Sequence, residues 1–421
     1  MENINTAPVI EPENTLRPEK KFGKPEIFMI LAVILSTITQ SLSGFFSALF
    51  SEPADEIAEK FPEYTSLIST IASGAISNAT SVVCTVLSIV VYALFAYFSY
   101  KKIGKAFRFL GAVFVATTLM NLFDRTLGLV TLSIIDFYSV KGLLESHIDA
   151  FSTIISVIAI IELIINLIVA AAAGVLSLMF FEGKIKFRKK EKSPVPQENI
   201  NEKPVTELEN TVKRKKKKFG KPEVFMLLSL ILTEGVLNIG FNLIRSFVTT
   251  VLNMVCPMII SKTGNDETIR LIFEILQNIS NYVFNVSEII LVFAVIVIFA
   301  LLAYKKMKRR AVFLGVVFTA TNISWLLLYG PLTFIRNIIS STISAVSMHL
   351  LEEGSLRATE YSTITIVQGI VIGLSENIIL FIGMVVAVVS GLLIIMALNG
   401  KLKKKKKEPE AIETSEITEA N

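Results

Sequence analysis

Apolar runs long enough to cross a bilayer alternate along this chain with short polar segments. A hydrocarbon core about 30 Å thick takes about 20 helical residues, because a helix satisfies its own backbone groups where lipid cannot. The runs predict helices at 27–50, 78–100, 106–128 and 154–181 in the first half, and at 224–251, 282–304, 311–329 and 371–398 in the second.

Some periodic segments exceed the membrane thickness. Over 268–304 the apolar positions Ile272, Leu276, Ile279, Val283, Val286 and Ile290 recur at steps of 4 and 3, which predicts one long amphipathic helix of about 50 Å. Gly330-Pro331 is the clearest break signal and is expected to end the seventh span before an outer amphipathic segment at 332–351.

The polar punctuation is itself duplicated. KKFGKPEIFM from Lys20 returns as KKFGKPEVFM from Lys217, and FLGAVFVAT from Phe109 returns as FLGVVFTAT from Phe313. Tyr100-Lys101-Lys102 returns as Tyr304-Lys305-Lys306, and Glu182-Gly183-Lys184 as Asn399-Gly400-Lys401. The offsets are 197, 204 and 217 residues by subtraction, so the order is kept and small insertions lie between the blocks. The fold class predicted is all-α: a polytopic helical membrane protein with eight transmembrane helices as two tandem parallel four-helix repeats. Its parts are a tail at 1–26, a first repeat at 27–186, a polar and basic linker at 187–221, a second repeat at 222–400 and a lysine-rich then acidic tail at 401–421.

Charge gives the repeats a sidedness. Six short segments at every second loop and at the tails hold 30 of the 41 Lys and Arg residues. Positive residues beside spans are retained in the cytoplasm, so both termini are expected there and the protein in the plasma membrane. The mixed-charge first 26 residues lack the pattern of a cleaved secretory signal, so no cleavage is expected. In each KPE, the proline suits the first helical turn and Glu26 or Glu223 suits the positive helix end. The runs Lys213 to Lys218 and Lys403 to Lys407 suit anionic lipid head groups, although setting topology is reason enough for them. No aromatic-interleaved basic fold accompanies them, so nucleic acid is not an expected partner; protein partners are not indicated.

Composition excludes the soluble classes: 52% hydrophobic and 18% charged residues with a mean hydropathy of +0.62 are too apolar for water-soluble domains. Cys84 and Cys256 stand alone, without metal-ligand spacing, and leave one bridge between them as the sole disulfide option. His147 and His349 read as loop histidines rather than a metal site. Without a nucleophile, phosphate-loop or zinc-protease signature, the chain is expected to be no enzyme and to need no metal or cofactor.

Candidate chemistry rests on the ionisable residues inside spans, which are costly and therefore functional candidates. These are Glu162, Glu234, Glu288 and Glu376. Glu234, Asn238, Asn242 and Arg245 follow at steps of 4, 4 and 3 and share one helix face. Glu162 with Asn166, and Glu376 with Asn377, extend the polar set, and Asp124 beside Arg125 suggests an ion pair at the outer boundary. Such groups also serve simply as interhelical glue worth about 0.6 to 2 kcal/mol. Two readings stand open: permease-like or channel-like passage of a small solute or ion between the halves, or a non-catalytic scaffold, assembly factor or sensor.

Overall fold

The computed structural model describes residues 23–60, 65–140, 148–185, 220–263, 266–352, 354–355 and 357–401. His147, the lysine runs Lys213 to Lys218 and Lys403 to Lys407, residues 1–22 and 402–421 of the tails and most of the linker lie outside the described residues. Among the described residues the chain is helical and without strands. Eight helical stretches are long and apolar enough to cross a membrane, making this a multi-pass membrane protein.

In the first half the helices are α1 (Lys24–Glu59), α2 (Thr65–Ser99), α3 (Ile103–Val140) and α4 (Ile148–Glu182). The second half has α5 (Lys221–Leu230), a π-helical segment Ile231–Leu237, α6 (Asn238–Thr263), α7 (Asp266–Ala303) and α8 (Met307–Ser324). A second π-helical segment, Trp325–Tyr329, leads into α9 (Gly330–Glu352), and α10 (Ala358–Leu398) follows. The long amphipathic helix expected over 268–304 is present as α7.

The helices overrun the spans read from hydropathy. α1 continues through Pro53 to Glu59, and α3 to Val140, because helical backbone persists beyond the lipid wherever nothing competes for its hydrogen bonds. Gly330-Pro331 does not end the helical path as expected. The chain widens into the π segment Trp325–Tyr329 and runs on as α9. Proline lacks an N–H and crowds the carbonyl four residues back, and a locally widened turn absorbs both defects without unravelling the helix.

The tightest packing lies towards the lysine-rich helix ends. Fully buried there are Met29 and Met226, Phe109 and Phe313, and Leu178 and Ile395, each pair occupying matched positions of the two sequence halves. α3 and α8 approach through glycines. A methyl group on Gly111 would overlap the carbonyl oxygen of Ala311, and one on Gly315 would overlap that of Phe107. Van der Waals packing is the main attraction between helices in lipid, so small residues at this crossing permit the close approach on which it depends. Elsewhere Gly174 admits the Met29 side chain and Gly391 that of Met226, again at matched positions. α9 lies against α2, where Asn337 Nδ2 donates to Asn78 Oδ1 at 2.9 Å. Apolar side chains such as Ile298 and Ile378 are left exposed on the outer faces, as a lipid surrounding requires.

Candidate functional site

Glu234 sits in the middle of the first π segment. Widened turns of this kind recur at functional sites, because the extra residue redirects side chains and loosens the backbone ladder. Asn238, the first residue of α6, donates its Nδ2 to Glu234 Oε2 at 3.2 Å. Gly235 is buried beside Glu234, and a methyl group there would overlap the present position of the Met384 sulfur from α10.

The second π segment borders the same space. Glu234 and Asn238 line a cavity of about 310 Å³ together with Thr85 of α2, Thr321 and Asn322 of α8, and Trp325, the only tryptophan of the chain. Ser324 at the end of α8 donates to the carbonyl of Gly383 at 2.6 Å and ties this wall to α10. By the sequence offsets, the π segments correspond to 34–40 and 121–125 of the first half, which are ordinary α-helix. The cavity therefore belongs to what differs between the halves.

The rest of the Glu234 stripe engages neighbours further along. Asn242 Nδ2 donates to Asn377 Oδ1 at 3.2 Å. Arg245 Nη2 donates to Asn285 Oδ1 at 2.6 Å and pairs with Glu288 Oε2 at 3.0 Å. Glu376 pairs with Arg336 of α9, Nη1 to Oε2, at 3.2 Å. Glu288 and Glu376 are thus each neutralised by an arginine, whereas among the described residues no lysine or arginine pairs with Glu234.

Glu162 and Asn166 are not part of this system. Thr131 Oγ1 donates to Glu162 Oε1 at 3.2 Å, and Asn166 Nδ2 to Asp124 Oδ1 at 2.8 Å, which places both on the contact between α3 and α4. Asp124 therefore meets an amide instead of the expected Arg125, which is exposed. Both cysteines are free thiols. Among the described residues no group of three or more His, Cys, Asp and Glu is placed to hold a metal ion.

Arg336, Asn285 and Trp325 complete the site and carried no signal as site residues. Arg336 lies in the segment read as an outer amphipathic helix, and its carboxylate partner is 40 residues away in sequence.

A second polar system closes the lysine-rich ends. Buried Glu26 accepts from the Gly23 N–H at 2.8 Å and from Lys184 Nζ at 2.5 Å. Buried Glu223 accepts from the Gly220 N–H at 2.8 Å, Lys401 Nζ at 2.8 Å and Asn399 Nδ2 at 2.8 Å. Each carboxylate caps its own helix start and locks it to the end of the fourth span of the same half. Lys184 is partly stripped of water, which lowers its pKa, but the bond to Glu26 and the charges of Glu26 and Glu182 outweigh this and raise it above the usual value. Burial, and then the Glu182 carboxylate that accepts the Tyr100 hydroxyl, push Tyr100 well above the usual phenol range.

No family model, curated protein or solved structure matches this chain.

Proposed function

We propose that the chain is a permease-like or channel-like membrane protein of two duplicated four-helix units, in which a small solute or ion passes through the cavity at Glu234. The observation that carries this reading is one carboxylate with no lysine or arginine partner among the described residues, in a polar cavity bordered by two π-helical segments, inside helices otherwise fit for lipid. Keeping a carboxylate without a counter-charge inside a membrane span is costly, and such residues commonly mark a pathway. Matched burial at Met29 and Met226 and at Phe109 and Phe313 supports duplication. Unlike a pathway shared evenly between halves, this one is built mainly by the second half, with Thr85 as the first half's contribution.

The lysine-rich ends face the cytoplasm of a plasma membrane in this reading, on the positive-inside rule, and the basic runs meet anionic lipid. No enzymatic step is assigned. The test is flux in proteoliposomes: Glu234→Gln abolishes a flux that the native protein supports, and an unchanged flux would refute the reading.

A second reading, a scaffold or assembly factor, is favoured by helix length. α7 with 38 residues and α10 with 41 extend about 57 and 62 Å, well past a 30 Å hydrocarbon core. Reproducible crosslinks from the ends of α7 and α10 nearest Asp266 and Ala358 to one partner, without any Glu234-dependent flux, would favour it.

A further inference from the structure

The lining of the Glu234 cavity is unequal in what it offers a ligand. Each hydroxyl hydrogen is already committed: Thr85 Oγ1 donates to the Ser81 carbonyl at 2.9 Å, Thr321 Oγ1 to that of Phe318 at 3.1 Å, and Ser324 Oγ to that of Gly383 at 2.6 Å. The amides have each spent a donor as well, Asn322 Nδ2 on the Phe318 carbonyl at 2.7 Å and Asn238 Nδ2 on Glu234 Oε2. What remains open is mostly oxygen lone pairs: Glu234 Oε1, the amide oxygens of Asn238 and Asn322, and the three hydroxyl oxygens. Trp325 stands in the same wall.

Charge points the same way. Glu288 and Glu376 each have an arginine, and Glu234 has none among the described residues. Its neutralising partner can therefore come from a ligand. A bare divalent metal is a poor fit, because the cavity brings one carboxylate and no histidine or cysteine, and its volume exceeds that of a dehydrated ion many times over.

We infer that the cavity binds a small organic cation bearing a primary ammonium group, with the ammonium hydrogens on Glu234 and the amide oxygens of Asn238 and Asn322 and its carbon skeleton against Trp325. An ammonium supplies three donors and a charge to a site offering acceptors and an unpaired carboxylate. This names the solute class for the proposed pathway and rests on that reading only for the idea of passage, since binding stands on the lining itself.

The test is thermal unfolding of the full chain in detergent with ethanolammonium, ethylene glycol and glycolate. The three share a two-carbon skeleton and differ in the charge of one end. Ethanolammonium raises the unfolding temperature saturably, as a ligand of the native state must, and the other two do not. Glu234→Gln removes the shift, and Asn322→Leu, which keeps the carboxylate, weakens the affinity about tenfold. Should Glu234→Gln fail to fold, Asn322→Leu decides. Equal stabilisation by ethylene glycol or glycolate, no shift with ethanolammonium, or an affinity unchanged in Asn322→Leu overturns the inference. Glu234-dependent flux of another solute without ethanolammonium binding would sink the ammonium site and leave the pathway standing, while binding without flux would do the reverse.

Discussion

Gly111 on α3 and Gly315 on α8 face each other so closely that a Cβ on Gly111 would lie 3.2 Å from the Gly315 nitrogen, and one on Gly315 would lie 3.0 Å from the Gly111 nitrogen. Each glycine also sits over the carbonyl four residues before the other, that of Ala311 or Phe107. Backbone, unlike a long side chain, has no rotamer by which to yield. Gly315→Ala is therefore expected to destabilise the protein by about 1 to 3 kcal/mol, as overpacking does, with Gly111→Ala similar. Gly369→Ala, where an added methyl meets open space, is expected to be neutral or slightly stabilising. Thermal unfolding of the three variants in one detergent checks this.

The clamp of Glu26 and Lys184 joins the start of α1 to the end of α4. Lys184→Ala leaves a buried carboxylate with backbone N–H donors but without its lysine, so a loss of about 1 to 3 kcal/mol is expected. Adding Glu26→Gln to Lys184→Ala is expected to recover part of it, because the uncompensated charge is gone. A double-mutant cycle reads the coupling, and additive losses would show that the clamp does not act as a pair.

The raised Lys184 pKa sets a direction for pH. A group whose pKa is raised on folding adds stability that is fully present below its unfolded value, near 10.5, and is lost as pH climbs through the folded value. Tyr100, raised by burial and by Glu182, acts in the same direction. Unfolding temperature is expected to fall in the strongly alkaline range, and the fall to be shallower in a Lys184→Met, Tyr100→Phe double variant. Equal slopes in the two proteins would remove these groups as the cause.

Arg245 and Glu288 stand as a neutral pair between α6 and α7. Arg245→Leu alone is expected to lower stability more than Arg245→Leu with Glu288→Leu, with a coupling of about 1 to 2 kcal/mol. Unfolding of the two single and one double variants measures it.

Much of this was legible in the sequence because hydrocarbon imposes a length on every span, and all eight apolar runs have become helices. The i, i+4 spacing of Glu234 and Asn238 foretold their contact, and the repeated KPE foretold the role of Glu26 and Glu223 at helix starts. The lysine ends of those clamps were not foreseen, since Lys184 and Lys401 read as topology signals and their partners lie 158 and 178 residues away. The π segments left no mark in composition: a shifted backbone hydrogen bond at Ile231–Leu237 needs no special residue. Arg336 could not be assigned to Glu376 for a similar reason, because the pairing depends on how α9 leaves its π segment and folds back along α10.

A pathway at Glu234 requires that water reach this carboxylate within the membrane. Cysteine labelling tests it, since a thiol reacts with a water-soluble, membrane-impermeant reagent only where it can ionise in water. In a background with Cys84→Ser and Cys256→Ser, Asn238→Cys and Thr321→Cys are expected to label readily, while the lipid-facing Ile298→Cys and Ile378→Cys stay inert. Labelling of the cavity positions as slow as that of the lipid-facing ones would contradict a wet site and leave Glu234 as packing glue.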